Sequence, residues 1–472
     1  MKGNMIELFK KVLSAYEGSD WEITLAFKSE NERSLSFLNG KKENLHKSLN
    51  SGVMISVGKN GKVFRQATPS INEKNLKQII NYSIEHFSTL EKYFLPESCL
   101  TLQKGELYDI TKEIPLSVTD FSNYLAESSK IDHRWINFIR SSLTETLEER
   151  IIVNSRGGLF HDRKYFTDYY LDLMGTRDDI NQNRSNGGVV FQGAANNSFL
   201  SNIFETKNSL TRELDLLLSA PICPKMTGDL LLPSDQMYIQ IHESIGHPLE
   251  LDRILGDERN YAGGSFVKPT DFGELRYGPE WMNVVFAPGE KQQPVGYDFD
   301  DTGLKASDTF LIKKGILCAG IGGAESQNRL QVNGTASTRN SNWNRPPIDR
   351  MGNINLCAGE SEFEDMVKSI ENGVLMKTNR SWSIDDQRDK FQFGCEIGYL
   401  IKDGEIKHAL RAPNYEGRTI PFWNSLKMVG NQNTVNDFGT SNCGKGEPNQ
   451  AVRVGHQSPA CLFSNISIFP GE

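Results

Sequence analysis

Six residues near the middle of the chain, HESIGH at positions 242 to 247, combine side chains that can bind and use a divalent metal. Two histidines on one helix face can share a zinc ion, and a neighbouring glutamate can act as general base. The usual signature spaces the histidines four residues apart, but His242 and His247 are five apart. At about 100° per residue, five residues turn the second imidazole by about 140° and four by about 40°. A regular helix would therefore splay these two rings apart.

Two residues beside the pair could bring the rings back together. Gly246 permits unusual backbone angles, and Pro248 has no N–H to give to the preceding turn. The helix can therefore widen into a π-type bulge or end there, and either distortion would swing His247 toward His242. Glu243 would then lie beside a metal-bound water as its general base. The alternative is that two ordinary surface or core histidines fall close together by chance, and the spacing alone leaves this open.

The motif must be positioned by a helix that begins shortly before it. Residues 229–232 are typical of a short apolar strand, and Pro233-Ser234-Asp235 then offers a helix start. Tyr238, Ile241 and Ile245 keep helical spacing, which places HESIGH on that helix. Downstream the pattern predicts mostly strands and turns: Val284 to Phe286, Phe310 to Leu317 around Lys314-Gly315, and Ile397 to Ile406 around Asp403-Gly404. Residues 256–272 form a long irregular piece, either a lid or specificity element, or a plain surface insertion.

The first half is predicted to be antiparallel sheet flanked by helices. Apolar residues alternate from Trp21 to Phe27 and from Val53 to Val57, with tight turns at Asn39-Gly40 and Asn60-Gly61. Ser70 and Glu73 have the spacing of a capping box that would start a helix through Phe87. A link around Pro96 precedes the other predicted elements: a helix from Leu116 to Lys130, a long hairpin turning at Asn154 to Gly158, and an amphipathic helix from Leu200 to Leu218.

These patterns predict an α+β protein of two domains, with antiparallel sheets and flanking helices. Because Ala220-Pro221 ends the amphipathic helix, we place the boundary there, giving an N-terminal α+β domain of residues 1–220 and a mostly-β domain of residues 221–472. The second domain carries the HESIGH helix. We expect the first to contribute the substrate cavity or a dimer contact.

Composition limits the partners of the chain. Its 472 residues are 38% hydrophobic and 24% charged, as in ordinary soluble globular proteins. A net charge of -8 with scattered lysines and arginines gives no basic surface for nucleic acid. Lys10 and Lys11 fall where a signal peptide needs its apolar run, so we expect no signal peptide. Nowhere do about 18 apolar residues follow one another, so we expect no membrane span. The seven cysteines are widely spaced without a C-x-x-C, which indicates reduced thiols and a cytoplasmic protein.

The sequence resembles the TldD/PmbA metallopeptidases over nearly its whole length. Active members of that family carry His-Glu-x-x-x-His on a helix and a cysteine in a Gly-Thr-x-Cys-Gly-Lys-type loop near the end. Here the loop reads GTSNCGK at residues 439–445. The resemblance also includes the early strand-Asn-Gly-strand region, NSRGG at 154–158 with His161-Asp162, Asp300-Asp301-x-Gly303, SLKMVG at 425–430 and QAVRVG at 450–455. Pro248 and the additional Asn442 depart from the family pattern.

The resemblance implies that His242, His247 and Cys443 ligate one zinc ion per chain and that Glu243 acts on its water. From the residues alone, the favoured interpretation of Cys443 is a small buried residue in a glycine-rich turn. His456 and Glu250 are the alternative third ligands. Two neutral imidazoles and a thiolate with an open fourth position match a catalytic zinc site. Arg339, Arg345 and Arg350 are candidates to hold a peptide carboxylate or the reaction intermediate, or they belong to a solvated loop.

The family further implies a zinc peptidase that takes peptides or unfolded segments as an added strand inside a closed dimer cavity. The partner would be a second copy or a TldE/PmbA-type paralogue. Two other functions stay open: a non-catalytic subunit that binds peptide or stabilises a paralogue, and a hydrolase of a non-peptide amide or ester. Retention of Glu243 favours the peptidase, because a merely structural zinc has no need of a base.

Overall fold

The first half of the chain folds into a long-stranded sheet with helices. The computed structural model describes residues 2–90, 92, 100, 102–113, 115–291 and 293–471. Cys99 and the link predicted around Pro96 lie outside the described residues. The helices of this half are α1 Lys2–Ser14, α2 Glu73–Leu90, α3 Val118–Ser128 and α4 Asn197–Leu217. The strands are β1 Glu22–Leu38, β2 Lys41–Lys59, β3 Lys62–Thr68, β4 Gly105–Ile110, β5 Ile136–Asn154, β6 Gly158–Arg177, β7 Ile180–Ser185 and β8 Val189–Gln192.

The sheet runs in the order β3-β2-β1-β5-β6-β4, and β7 and β8 also pair with β6. Its pairings are antiparallel except that between β4 and β6. Successive side chains of a strand alternate between faces. Odd-numbered apolar residues of β1 and β5, such as Leu25, Leu35 and Ile151, therefore share one face, where they pack into cores that include residues of α1, α2, α3 and α4.

The even-numbered positions form a charged face against the second half of the chain. Lys28 Nζ lies 2.8 Å from the Asn340 carbonyl oxygen and 3.2 Å from the Glu148 carboxylate. Arg150 forms ion pairs with Asp162 of the same sheet and with Asp301 of the second half. Because buried charges are costly unless paired, these contacts fix how the second half sits on the sheet.

The second half contains two larger sheets. Its strands are β9 Met226–Leu232, β10 Val284–Phe286, β11 Thr309–Lys313, β12 Ile316–Leu317, β13 Thr338–Arg339, β14 Ile348–Asp349, β15 Asn353–Leu356, β16 Asn372–Ile384, β17 Lys390–Lys402, β18 Glu405–Leu410, β19 Pro413–Arg418, β20 Leu426–Val429, β21 Asn436–Lys445, β22 Gln450–Ser458 and β23 Cys461–Pro470. One sheet runs β12-β11-β10-β15-β22-β21 and the other β16-β9-β23-β19-β17-β18, with β20 on β23. Because β16 also pairs with β17, the second sheet curls round into a ring.

Short helices connect these strands. They are α5 Ser234–Ile241, α6 Leu251–Leu255, α7 Arg259–Ala262, α8 Ala324–Leu330, α9 Phe363–Lys368 and α10 Thr419–Asn424, with 3₁₀ turns at His247–Leu249, Pro269–Asp271 and Gln432–Thr434. Ile241 and Ile245 belong to the large buried core of this half, together with residues of both sheets. The element that carries HESIGH is thus held by the core. No described helix is long and apolar enough to cross a membrane.

The predicted fold class, α+β with mostly antiparallel sheets and helices, is confirmed, while the domain boundary at residue 220 stays a prediction. The Asn39-Gly40 and Asn60-Gly61 turns join β1 to β2 and β2 to β3, with positive φ at these four residues. The capping box predicted at Ser70 and Glu73 is wrong. Helix α2 begins at Glu73, and the Asn72 side chain accepts a hydrogen bond from the Asn75 N–H at 2.9 Å. Asparagine is as good an N-cap as serine, and Asn72 lies at the helix boundary.

Candidate metal centre

The backbone of HESIGH makes the distortion that its spacing requires. Helix α5 ends at Ile241, and residues His242–Gly246 form a π-helical turn. The His247 N–H donates to the His242 carbonyl five residues earlier, where an α-helix would bond residues four apart. The wider turn compensates for the additional residue, and the two imidazole centroids lie 4.7 Å apart with perpendicular planes. The bulge considered from the sequence is therefore present.

Gly246 serves the bulge by its small size. Its φ of -58° is ordinary helical backbone, so the expectation of unusual angles at this residue is wrong. A Cβ atom at Gly246 would lie 2.0 Å from the Met351 sulfur. The π turn packs so closely on Met351 that a side chain at position 246 has no space. Pro248 lies within the following 3₁₀ turn, where the helix ends.

The third predicted ligand comes from a distant strand. Cys443 lies on β21, with its sulfur 3.6 Å from His247 Nε2. Ligand atoms of His242, His247 and Cys443 all lie within 4.8 Å of one another, and each residue is only 3% exposed. Between Thr440 and Cys443 the register of β21 against β22 shifts by one residue. This bulge absorbs the additional residue at Asn442, so the longer loop still brings the thiol to the histidines.

His456 and Glu250, the alternative third ligands, contact the opposite nitrogens of the two imidazoles. Glu250 Oε2 lies 2.9 Å from His247 Nδ1, and His456 Nε2 lies 3.0 Å from His242 Nδ1. His456 Nδ1 in turn lies 3.3 Å from the Ile354 carbonyl oxygen, so it donates there and its Nε2 accepts from His242. The Nε2 atoms of His242 and His247 therefore each keep a lone pair that can bind a metal ion. Such outer partners fix the tautomer and orientation of ligating histidines.

Burial and neighbouring charges favour the ligating protonation states. Burial lowers the pKa of both His242 and His247, which keeps the imidazoles neutral. Burial would raise the pKa of Cys443, but the charge of Arg350 and the neighbouring His247 ring lower it below its usual value, toward thiolate. Burial likewise opposes ionisation of Glu250, yet the charge of Lys445 and the hydrogen bond from His247 lower its pKa, so this carboxylate stays charged. Neutral imidazoles and a thiolate are the forms that bind metal.

The carboxylate next to the first histidine has a partner that the sequence reasoning missed. Glu243 lies on the π turn, 5% exposed, and its Oε2 forms an ion pair with Arg388 Nη1. Arg388 follows β16 by four residues, and nothing in its local sequence connects it with HESIGH. Only the pairing of β16 with β17 and the packing of β16 on α5 bring it to Glu243.

The three arginines proposed from the sequence occupy other positions. Arg339 donates from Nη1 to the carbonyl oxygens of Met351 and Arg453 at 2.7 and 2.8 Å. Arg350 is fully buried and donates to the carbonyl oxygens of Cys443 and Gln450. Arg345 is exposed. Arg350 therefore supports the strand that presents the thiol, whereas Arg388 is the arginine in contact with Glu243.

The donor set fits zinc better than a hard cation. Two imidazole nitrogens and a thiolate are the ligands that zinc prefers, whereas magnesium and calcium take oxygen. In this α+β fold, a buried group of nitrogen and sulfur donors could therefore hold a metal ion.

Comparison with known proteins extends this assignment. The family model described as PmbA/TldA metallopeptidase C-terminal domain matches residues 227–469. A metalloprotease of Methanocaldococcus jannaschii is 24% identical over 466 residues, covering 95% of this chain and 96% of its own. A zinc metalloprotease TldD homolog of Saccharolobus solfataricus is 25% identical, over 51% of each chain. The crystal structure of TldE from Thermococcus kodakarensis superposes with a TM-score of 0.74 at 14% identity, covering 98% of this chain and 99% of that one. The chain belongs to the PmbA/TldD metallopeptidase family.

Proposed function

We propose that the chain is a zinc-dependent peptidase in which His242, His247 and Cys443 hold the metal and Glu243 is the general base. The observation that carries this proposal is the convergence of three ligand atoms beside a buried carboxylate. A structural zinc site is usually closed by four protein ligands, whereas a catalytic site keeps one position open. Among the described residues, the group that could hold a metal ion consists of these three side chains, which supports the open fourth position.

A bound zinc would polarise the substrate carbonyl and make water a better nucleophile. The chain's own residues would supply the proton transfers and the geometry. Glu243 takes a proton from the attacking water and returns it to the amide nitrogen as the C–N bond breaks. Glu250 and His456 hold the two imidazoles in one orientation, so the donor atoms need little rearrangement. Burial of the group excludes bulk water and strengthens its electrostatic interactions.

We propose peptides or unfolded polypeptide segments as substrates, held as an added strand. Cys443 lies on β21, which among the described residues is an edge strand of its sheet. An edge strand offers backbone N–H and C=O groups that pair with an extended peptide whatever its side chains. The names of the metalloprotease relatives support the same substrate class.

We further propose that the chain acts as a dimer, with a second copy or with a TldE/PmbA-type paralogue. Its likeness to a solved TldE supports a common subunit shape. Light scattering of the purified chain, alone and mixed with such a paralogue, measures the assembly. A mass equal to one chain in both samples would contradict the dimer. The cytoplasmic location inferred from the sequence stays a prediction.

Metal analysis and peptide hydrolysis test the proposed function. We expect about one zinc per chain in the wild type and strongly reduced zinc in Cys443→Ala. Cys357→Ala, a free and half-buried cysteine of the same half, is the matched control and should keep the metal. Glu243→Gln should keep zinc and lose about 10²–10⁴-fold in kcat, the usual contribution of a general base.

Three results would contradict the proposal in different ways. Equal zinc in Cys443→Ala and wild type would show that the thiol is not a ligand. Stoichiometric zinc without peptide hydrolysis, alone or with the paralogue, would favour the non-catalytic subunit. Cleavage of amide or ester libraries with no cleavage of peptides would place the activity on another substrate class.

A further inference from the structure

The ion pair between Arg388 and Glu243 joins the proposed base to a cation at the centre of the site. Arg388 Nη1 contacts Glu243 Oε2, and the arginine side chain is only 13% exposed. If Glu243 serves the water that attacks a peptide carbonyl, a guanidinium bound to it lies within a few ångströms of the reacting atoms. A cation there can act on charge that develops during the reaction.

The backbone of Arg388 has a conformation that is unfavourable for a residue with a large side chain. Arg388 has a φ of 62°, in the left-handed region that glycine adopts freely and a bulky residue rarely does. Residues 385–389 connect β16 to β17, and the Arg388 N–H donates to the Asp385 carbonyl at 2.9 Å. Thr419 Oγ1 donates to the Arg388 carbonyl at 2.8 Å. A strained residue kept in place by its surroundings often marks a functional position.

The segment of residues 256–272 ties this turn to the metal-binding turn. The Gly264 and Phe266 N–H groups each donate to the turn, to the carbonyls of Asp386 and Gln387, at 2.9 Å. Ser265 Oγ donates to the Pro248 carbonyl at 2.7 Å, directly after HESIGH. This segment therefore links Arg388 to the metal helix at a fixed separation.

Arg388 also has an N–H donor that no described residue accepts. A guanidinium carries five N–H donors. Among the described residues, Arg388 Nε is buried and has no hydrogen-bond acceptor. A buried donor without a partner is costly and is expected to acquire one, here from a bound ligand. A substrate carbonyl oxygen bound beside Glu243 could supply that acceptor.

Resting on the proposed function, we infer that Arg388 is a catalytic residue that binds the substrate carbonyl oxygen as that oxygen becomes negative. Glu243 accepts a proton from water, and the water oxygen bonds to the carbonyl carbon. The carbonyl π electrons move to the oxygen, which takes the place of the Glu243 carboxylate as the anionic partner of Arg388. When the C–N bond breaks, the electron pair goes to nitrogen with the proton from Glu243, and Arg388 returns to the carboxylate. The same guanidinium thus positions the base before reaction and stabilises the oxyanion during it.

The first test compares Arg388→Gly with Arg380→Ala, a change at an exposed arginine on the same hairpin. Glycine suits the positive φ, so a loss in Arg388→Gly cannot come from backbone strain. With zinc content unchanged, we expect kcat to fall about 10²–10³-fold, the usual effect of removing one oxyanion donor. KM should change by less than about threefold, since the contact forms mainly in the transition state. Millimolar guanidinium should partly restore kcat in Arg388→Gly, whereas Arg380→Ala should behave as wild type.

The second test does not depend on turnover. A phosphinic peptide carries an anionic tetrahedral centre in place of the scissile amide, and calorimetry measures its binding to the zinc-loaded protein. We expect Arg388→Gly to lose about 10²–10³-fold in affinity for it and less than about threefold for the matching uncleavable, uncharged peptide analogue. Equal losses for both ligands, or none for the phosphinic peptide, would overturn the inference.

The two tests separate this inference from the proposed function. If wild type cleaves peptides and Arg388→Gly cleaves them equally well, the peptidase stands and the role of Arg388 falls. If wild type cleaves no peptide, the proposed function falls, and selective loss of phosphinic peptide binding in Arg388→Gly still supports the oxyanion contact.

Discussion

Replacing Glu250 by glutamine tests whether the partners of the histidines, and not the ligands alone, set the metal affinity. Glu250 is completely buried and accepts the Nδ1–H of His247 through Oε2 at 2.9 Å. Glutamine keeps the shape and an acceptor oxygen but removes the charge. A hydrogen bond to a charged group contributes about 1.5–3 kcal/mol and a neutral one about 0.5–1.5 kcal/mol. The difference, about 1–1.5 kcal/mol, corresponds to about a tenfold loss of zinc affinity.

Glu250→Ala removes the hydrogen bond as well, so its zinc affinity should fall further, toward about 100-fold. Both variants also remove the ion pair of Glu250 Oε2 with Lys445 Nζ at 3.4 Å, but Lys445 keeps Asp252 Oδ1 as a partner at 2.5 Å. Glu258→Gln is the matched control: its carboxylate is buried in the same cluster and lies 2.8 Å from Arg253. Competition with a zinc chelator measures the affinities. Equal affinities in wild type and both Glu250 variants would refute the reasoning, as would an equal loss in Glu258→Gln.

Two further predictions concern the packing of the π turn and the junction of the two halves. Gly246→Ala should lower the free energy of unfolding by about 1–3 kcal/mol, because its methyl group would overlap the Met351 sulfur. In chemical denaturation, Gly246→Ala/Met351→Ala should lose less than the sum of the two single losses, because the overlap is absent once Met351 is shortened. Acid should also destabilise the chain. Burial opposes ionisation of Asp162 and Asp301, yet neighbouring cations hold both pKa values below the ordinary aspartate value: Arg150 and Lys164 for Asp162, and Lys28 and Arg150 for Asp301. Groups with a lowered pKa stabilise the fold above their unfolded pKa and lose that effect as the pH falls through the folded value. The free energy of unfolding should therefore drop below about pH 4, and Asp162→Asn should flatten that drop; an identical slope in both proteins would contradict the assignment.

Local sequence patterns predicted the helices and strands, whereas the contacts between them depend on long-range packing. Asn-Gly turns and period-two alternation identified the hairpins of β1, β2 and β3, because turn chemistry and strand faces are local properties. The capping box failed because Ser70 and Asn72 are both good caps, and choosing between them needs the observed backbone. Gly246 was correctly singled out for the wrong reason, since only the approach of Met351 explains its small size.

The candidate metal-binding group was likewise predicted only in part from the sequence. HESIGH and the cysteine loop are visible in the sequence, but His456 and Glu250 could be weighed there only as ligands. Their contacts with the Nδ1 atoms depend on the β21–β22 pairing and on the turn after HESIGH. Arg388 could not be found from the sequence, because its hairpin approaches Glu243 only in the folded chain.

The alternation of the long strands explains how the first half of the chain contacts the segments that surround the candidate metal centre. One face of the first sheet is apolar and is covered by its own helices, so that half can bury a core without the second. Its other face carries Lys28 and Arg150, whose partners Asn340 and Asp301 lie in the second half. Asn340 is next to Arg339, which donates to the carbonyls of Met351 and Arg453. Met351 packs on the π turn and Arg453 follows the residue paired with Cys443, so the charged face of the first sheet is connected by direct contacts to both sides of the metal-binding group.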